Sequence, residues 1–291
     1  MLATIEALKM FITKVFPTMF PFFIITRILT ILGLGNMFVK LLKRPIKLLY
    51  NCSGIGGYVF VLSILSGYPI GAKLVADFVK NGIISQDEAK KIISFTSTSG
   101  PLFIIGTIGV NLLGDYNAGV VILVSHFLSA ILNGILYRGQ TNARLGVSLP
   151  INENADFFND AITSSIQAIL QVASSIVFLN VLIVALNDLN IIDIFANTLS
   201  IFGLDKGVSK GISIGLIEIT KGIYDMASSN KIKDIIVPIS TIISFGGISV
   251  MVQSMSFLRT IGISTKYYLL TKTSQAIISY VLSTLLVLML Y

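Results

Sequence analysis

Charge is the scarcest commodity in this sequence. Charged residues make up 12% of the 291 positions and hydrophobic residues 54%, with a mean hydropathy of +0.87. A water-soluble domain carries about 25% charged residues, so too few remain here to cover a soluble surface. Lipid is the expected solvent. Cysteine occurs once, as Cys52, and histidine once, as His126. An intramolecular disulfide is therefore excluded, and so is a Cys/His metal cluster.

Other signatures are missing too. The net charge of +7 is not gathered into one basic block, so nucleic acid is not an expected partner. The lysines and arginines lie mainly between apolar stretches, where they act as orientation signals and headgroup contacts. The strict alternation of a membrane β-barrel does not occur. No paired-aspartate diphosphate motif, metal-ligand cluster or nucleophile with a basic partner stands out, so no enzyme is expected and no cofactor or metal is assigned. The first apolar segment has no clear small-residue cleavage site and is read as part of the body of the protein.

What is present is a series of charge-free windows long enough for a bilayer, which needs about 20 helical residues. The sequence predicts an all-α polytopic membrane protein. Spans are expected at 11–35, kinked by Pro17 and Pro21 and carrying Arg27, then at 91–114, 116–137, 161–187, 234–258 and 267–290. Short mixed stretches at 37–49 and 189–203 read as interfacial helices. Two apolar stretches, 54–80 and 207–230, are interrupted near their middles. The first break is Ser66-Gly67-Tyr68-Pro69-Ile70-Gly71, and the second lies within Gly215–Gly222. Each half is too short to span alone, and Gly and Pro favour a sharp reversal, so both read as re-entrant helical hairpins.

These elements occur in the same order twice. Ile92-Ile93-Ser94-Phe95 recurs as Ile242-Ile243-Ser244-Phe245, and Lys73/Asp77 recurs as Lys221/Asp225, at offsets of 150 and 148. The chain divides into repeat 1 (1–137), a polar linker (138–160) and repeat 2 (161–291). Three crossings per half is an odd number, so the second half is expected to be inverted, a plan found among secondary transporters. Eleven basic residues fall on one side (Lys40, Lys43, Arg44, Lys47, Lys80, Lys90, Lys91, Arg138, Arg144, Arg259, Lys266) and six on the other (Lys9, Lys14, Lys206, Lys210, Lys231, Lys233). The first side is expected to be cytoplasmic.

Ionisable residues inside apolar elements usually face a partner or a cavity. Arg27, Lys73, Asp77, Glu218, Lys221 and Asp225 are of this kind. Lys73/Asp77 and Lys221/Asp225 are spaced i, i+4 and can each close a salt bridge that merely locks a hairpin arm. Alternatively, Lys73 and Lys221 bring positive charge to a small anionic substrate near the tips, helped by helix N-termini. Glu218 has Ile70 at its counterpart position, and could bind a coupling proton or sodium ion or simply pair with Lys221. Thr96-Ser97-Thr98-Ser99-Gly100-Pro101 and Gly246-Gly247-Ile248-Ser249, followed by Gln253, read as unwound mid-span segments that line a path, or as small residues for close helix packing. His126 reads as an interior hydrogen-bonding residue. Ser85 with Glu88 reads as a capping box.

Ser66-Gly67-Tyr68-Pro69-Ile70-Gly71-Ala72-Lys73, Ile84-Ser85 with Glu88-Ala89, and Gly100-Pro101-Leu102-Phe103-Ile104 with Gly106 and Gly109 resemble the YlbJ-type sporulation integral membrane proteins. Gly215-Leu216-Ile217-Glu218-Ile219-Thr220 and Phe245-Gly246-Gly247-Ile248-Ser249-Val250 extend the likeness, which runs from about 54 to 260. More distantly, the plan is similar to concentrative nucleoside transporters and nucleoside-recognition gate domains. The resemblance implies transport of dipicolinic acid from mother cell toward forespore, across the outer forespore membrane. The wider likeness implies a substrate site formed by Ser66, Tyr68, Pro69, Lys73, Thr96, Ser97, Thr98, Ser99, Gly100, Glu218, Thr220, Lys221, Gly246, Gly247 and Ser249, while Asp77, Glu218 and Asp225 read, from their place inside apolar elements, as coupling or charge-pairing groups. A nucleoside or other metabolite remains an alternative substrate. A non-transporting sporulation scaffold, with partners on the 138–160 linker, remains an alternative role. The sequence leaves the oligomeric state open.

Overall fold

The computed structural model describes residues 2–139, 149, 156–228 and 231–291. Most of the polar linker lies outside the described residues, including Arg144 and Glu153, as do the last two residues of the second hairpin stretch. The described residues form helices and no strand.

The first segment is helical throughout but irregular. Helix α1 (Leu2–Met10) passes through a π-helical turn, Phe11–Val15, into α2 (Phe16–Ile31). Pro17 and Pro21 cannot donate to carbonyls one turn upstream, and the π turn sits just before the first of them. The chain then bends by 84° into α3 (Gly35–Tyr50). On α3, Val39, Ile46 and Tyr50 are buried while Lys40, Leu41, Lys43, Arg44 and Leu48 are exposed. This amphipathic pattern suits the interfacial role expected for 37–49. Asn51, in the left-handed region at φ 52°, ends the helix and donates its N–H to the Lys47 carbonyl.

The first hairpin is α4 (Gly54–Ser66) and α5 (Ile70–Lys80). Thirteen residues make about 20 Å of helix, short of a hydrocarbon core of about 30 Å. Next comes the segment expected to span at 91–114. It forms two 11-residue pieces, α6 (Gln86–Thr96) and a π-helical segment (Leu102–Leu112), separated by an unwound stretch at 97–100. Pro101 opens the second piece, where its missing N–H costs nothing. Ser85 caps α6 by accepting the Glu88 N–H at 3.2 Å. The reciprocal half of the expected capping box is replaced: the buried Glu88 carboxylate takes the backbone N–H of Ser53 at 2.6 Å, tying α6 to the start of the hairpin. Helix α7 (Tyr116–Leu136) follows, capped by Asp115. The Tyr291 hydroxyl donates to the Asp115 carboxylate at 2.7 Å and holds it below its ordinary pKa.

The element order then repeats: α8 (Phe157–Asp188), α9 (Ile191–Ser200), a hairpin of α10 (Lys206–Gly215) and α11 (Ile219–Ala227), a broken helix α12 (Ile232–Phe245) and α13 (Gly247–Leu258), and α14 (Thr265–Leu290). Among the described residues, four stretches are long and apolar enough to cross a membrane: Tyr116–Leu136, Phe158–Asp188, Ile232–Ile261 and Thr265–Leu290. The bent pair of α2 and α3 makes a fifth if counted as one. This is an integral membrane protein.

In lipid, helices gain little from apolar burial against each other, so small residues and buried hydrogen bonds hold them together. Ser240 on α12 meets Ser279 on α14 at 2.9 Å. Asn133 on α7 donates to the carbonyls of Ser94 and Thr271, at 2.8 and 3.0 Å, joining three helices. In the second hairpin Gly222 lies so close to Gly215 that any Cβ would collide with the opposing backbone. Two main clusters of buried apolar side chains result, one around the first hairpin and one around α7, α12 and the second hairpin.

Candidate functional site

The two hairpin tips and the two broken helices meet at one cavity of about 190 Å³. Tip 1 contributes Ser66, Gly67 and Tyr68; the first break contributes Ser99 and Gly100; tip 2 contributes Glu218 and Thr220; the second broken helix contributes Ser249, Val250 and Gln253. Met19 and Phe22 of α2, with Val172 and Ile176 of α8, add apolar wall. An engineered cavity of about 150 Å³ can hold a benzene, so this one admits a small ring-sized solute.

The first break is held by side chains. Ser99 donates its backbone N–H to His126 Nε2 at 2.9 Å, and His126 Nδ1 meets Ser244 Oγ at 2.8 Å. The Nε2 must accept, so the proton is assigned to Nδ1 and points at Ser244. The Ser97 carbonyl accepts from Lys272 Nζ at 2.9 Å. Ser97 Oγ bonds the Tyr268 hydroxyl at 2.7 Å, which donates in turn to Ser254.

The second break is held by backbone. Gly246 and Gly247 adopt φ of 91° and 61°, a conformation that side chains with a Cβ disfavour. The freed N–H groups of Ile248 and Ser249 donate to the carbonyls of Leu216 and Ile217, at 2.8 and 2.9 Å. Those carbonyls belong to tip 2, so the hairpin and the break complete each other's hydrogen bonding, as backbone at membrane depth must.

Glu218 is buried, at 4% exposure, and faces the cavity. It is also the N-cap of α11, accepting the N–H of Thr220 at 3.2 Å and of Lys221 at 2.8 Å. The positive end of that helix is therefore already occupied by the protein's own carboxylate. Among the described residues Glu218 makes no ion pair.

Of the residues singled out from the sequence, Ser66, Tyr68, Ser99, Gly100, Glu218, Thr220 and Ser249 line the cavity. Pro69, Thr96, Ser97, Thr98, Gly246 and Gly247 are not among the lining residues. Lys73 turns away from it: one turn into α5, it pairs with Asp77 at 2.9 Å, and Arg27 stands 4.0 Å from the same carboxylate. Lys221 contributes its backbone N–H to Glu218. Among the described residues, its side chain and Asp225 do not come within ion-pairing distance, so the two symmetric pairs in the sequence are unlike in space. His126 fills the interior hydrogen-bonding role expected of it. Lys272 was not singled out, although a cation in a 26-residue helix without any acidic residue is a readable signal. Gln253, read from the sequence with the second path-lining segment, lines the site, as does Tyr224, which the sequence did not mark.

Comparison with known proteins gives one strong likeness. The chain is 28% identical, over an alignment of 308 positions, to the sporulation integral membrane protein YlbJ of Bacillus subtilis (strain 168), covering 94% of this chain and 74% of that one. No family model matches it, and no solved structure matches it. This likeness spans nearly the whole length of the chain, so it includes both hairpins and both broken helices.

Proposed function

We propose that this protein is a transporter in sporulation that carries a small metabolite through the cavity between its hairpin tips. The observation that supports it most is the convergence of both tips and both broken helices on that one cavity. Unwound backbone offers polar groups at membrane depth without a soluble domain, a device used by transporters whose substrate sits midway through the bilayer. The repeated element order supports an inverted arrangement of the two halves, which would move against each other around the site.

The YlbJ likeness makes dipicolinic acid, in the outer forespore membrane, the first substrate to test. The charge of the lining adds a condition. Glu218 is the charged residue among the lining residues, and a like charge 4 Å away costs about 4 kcal/mol at an effective dielectric of about 20. A dicarboxylate would therefore enter with a proton on Glu218 or with a cation beside it. That condition couples substrate to an ion gradient. Lys73 and Lys221, which the sequence offered as substrate contacts, do not supply the compensating charge in this geometry.

The test is uptake of labelled dipicolinic acid into proteoliposomes holding the purified protein. Saturable uptake driven by a proton or sodium gradient is expected. Glu218→Gln, a neutral isostere, is expected to keep exchange of dipicolinate while losing its gradient dependence. Correctly folded wild-type protein that takes up nothing under either gradient overturns the dipicolinate reading. Uptake abolished by competing nucleosides points to the alternative substrate class.

A further inference from the structure

Lys272 is a charged group that the transport reading leaves unused. It lies in the membrane-spanning helix α14, at 3% exposure. Among the described residues no carboxylate comes within ion-pairing distance of it. Its Nζ instead meets three oxygens: Gln275 Oε1 at 2.7 Å, the Ser97 carbonyl at 2.9 Å and the Tyr68 hydroxyl at 3.2 Å. It also stands 5.0 Å from the centroid of the Tyr68 ring, a cation–π distance.

The donors can be counted. The Ser97 carbonyl and Gln275 Oε1 only accept. Tyr68 already donates its proton to the Ile243 carbonyl at 2.9 Å, so its oxygen accepts from Lys272. Three acceptors require three N–H donors, and only the ammonium form of lysine has three. A neutral amine would leave one acceptor facing a lone pair. The site therefore holds a single positive charge surrounded by neutral oxygens, the ligand chemistry of an alkali-metal ion. Its position agrees with that, because Ser97 immediately follows α6, whose C-terminal end carries the negative pole of the helix.

We propose that Lys272 is a tethered monovalent cation, filling a three-oxygen site formed by the first broken helix (Ser97), the first hairpin tip (Tyr68) and α14 (Gln275). The side chain does permanently what a bound sodium or potassium ion would do reversibly: it compensates the exposed carbonyl end of the break and fixes tip 1 against it. The first break therefore needs no dissolved ion to stay closed. This inference does not rest on transport, and its test reads stability, so it can fail while the transport reading stands, or the reverse.

The experiment is thermal unfolding of purified wild type, Lys272→Ala and Lys272→Met in a buffer whose cation is N-methylglucamine, with sodium, potassium or methylammonium then added. Lys272→Ala leaves the three oxygens together with space beside them. Its melting temperature is expected to fall, then recover by about 2–4 °C with a saturable dependence on one of the small cations. Wild type is expected to show no such dependence. Lys272→Met fills the space without charge, so it should melt below wild type in every salt. Lys272→Ala that no small cation stabilises, or Lys272→Met as stable as wild type, overturns the proposal. Where Lys272→Ala does not fold, the Lys272→Met comparison decides alone.

Discussion

The two broken helices solve one problem in two ways. Both leave backbone groups without helical partners deep in the protein. At the first break the partners are side chains from the last helix of each half: His126 of α7 takes the Ser99 N–H, and Lys272 of α14 binds the Ser97 carbonyl. At the second break they are backbone carbonyls of tip 2, which accept the N–H groups of Ile248 and Ser249. A break held by side chains can be loosened by changing one of them. A break held by backbone resists such changes, but depends on the hairpin being in place. The halves share an element order while differing in which of their breaks can be addressed through side chains.

Substitutions can sharpen that contrast. The largest effect is expected where the second hairpin must close. Gly222→Val places a branched side chain against the Gly215 backbone, and overpacking of this kind costs about 1–3 kcal/mol or more. Because tip 2 also completes the second break, both should fail together, read as lost monodispersity in size-exclusion chromatography. Next comes His126→Leu, which leaves the buried Ser99 N–H without its acceptor. A loss of about 1–2 kcal/mol is expected, measured by thermal or denaturant unfolding in detergent.

Ser249→Ala is the matched change at the second break. The backbone bond from Ser249 to Ile217 survives it, so the expected loss is within about 0.5 kcal/mol. A loss as large as that of His126→Leu would mean that the two breaks are not held differently after all. The smallest effect is expected from Lys73→Ala. Its pair with Asp77 is partly exposed and spaced i, i+4, worth about 0.3–0.5 kcal/mol. It lies off the cavity, so uptake should be unchanged. Uptake abolished with the fold intact would return Lys73 to the substrate site.

Much of this architecture was legible beforehand. Gly67 and Pro69 marked the first reversal, and the Thr96–Pro101 run marked the first unwound stretch, because those residue types cannot continue a regular helix at low cost. The element order could be read twice along the chain. The candidate site was less legible. Lys73 and Lys221 share a sequence register, but among the described residues only Lys73 forms its ion pair, since side-chain direction depends on what each hairpin packs against. Glu88 looked like half of a capping box and instead reaches Ser53, a residue 35 positions away.

By itself, the sequence determined the solvent, the helices and the places where they break. These depend on local composition: 20-residue apolar windows, missing N–H groups at proline, and the freedom of glycine. Only the tertiary structure decided what completes each break and which polar groups meet at the cavity. Those partners come from elements far apart along the chain, as with Lys272 and Ser97 or Glu218 and Ser66. Their meeting is fixed by the packing of whole helices rather than by any local pattern of residues.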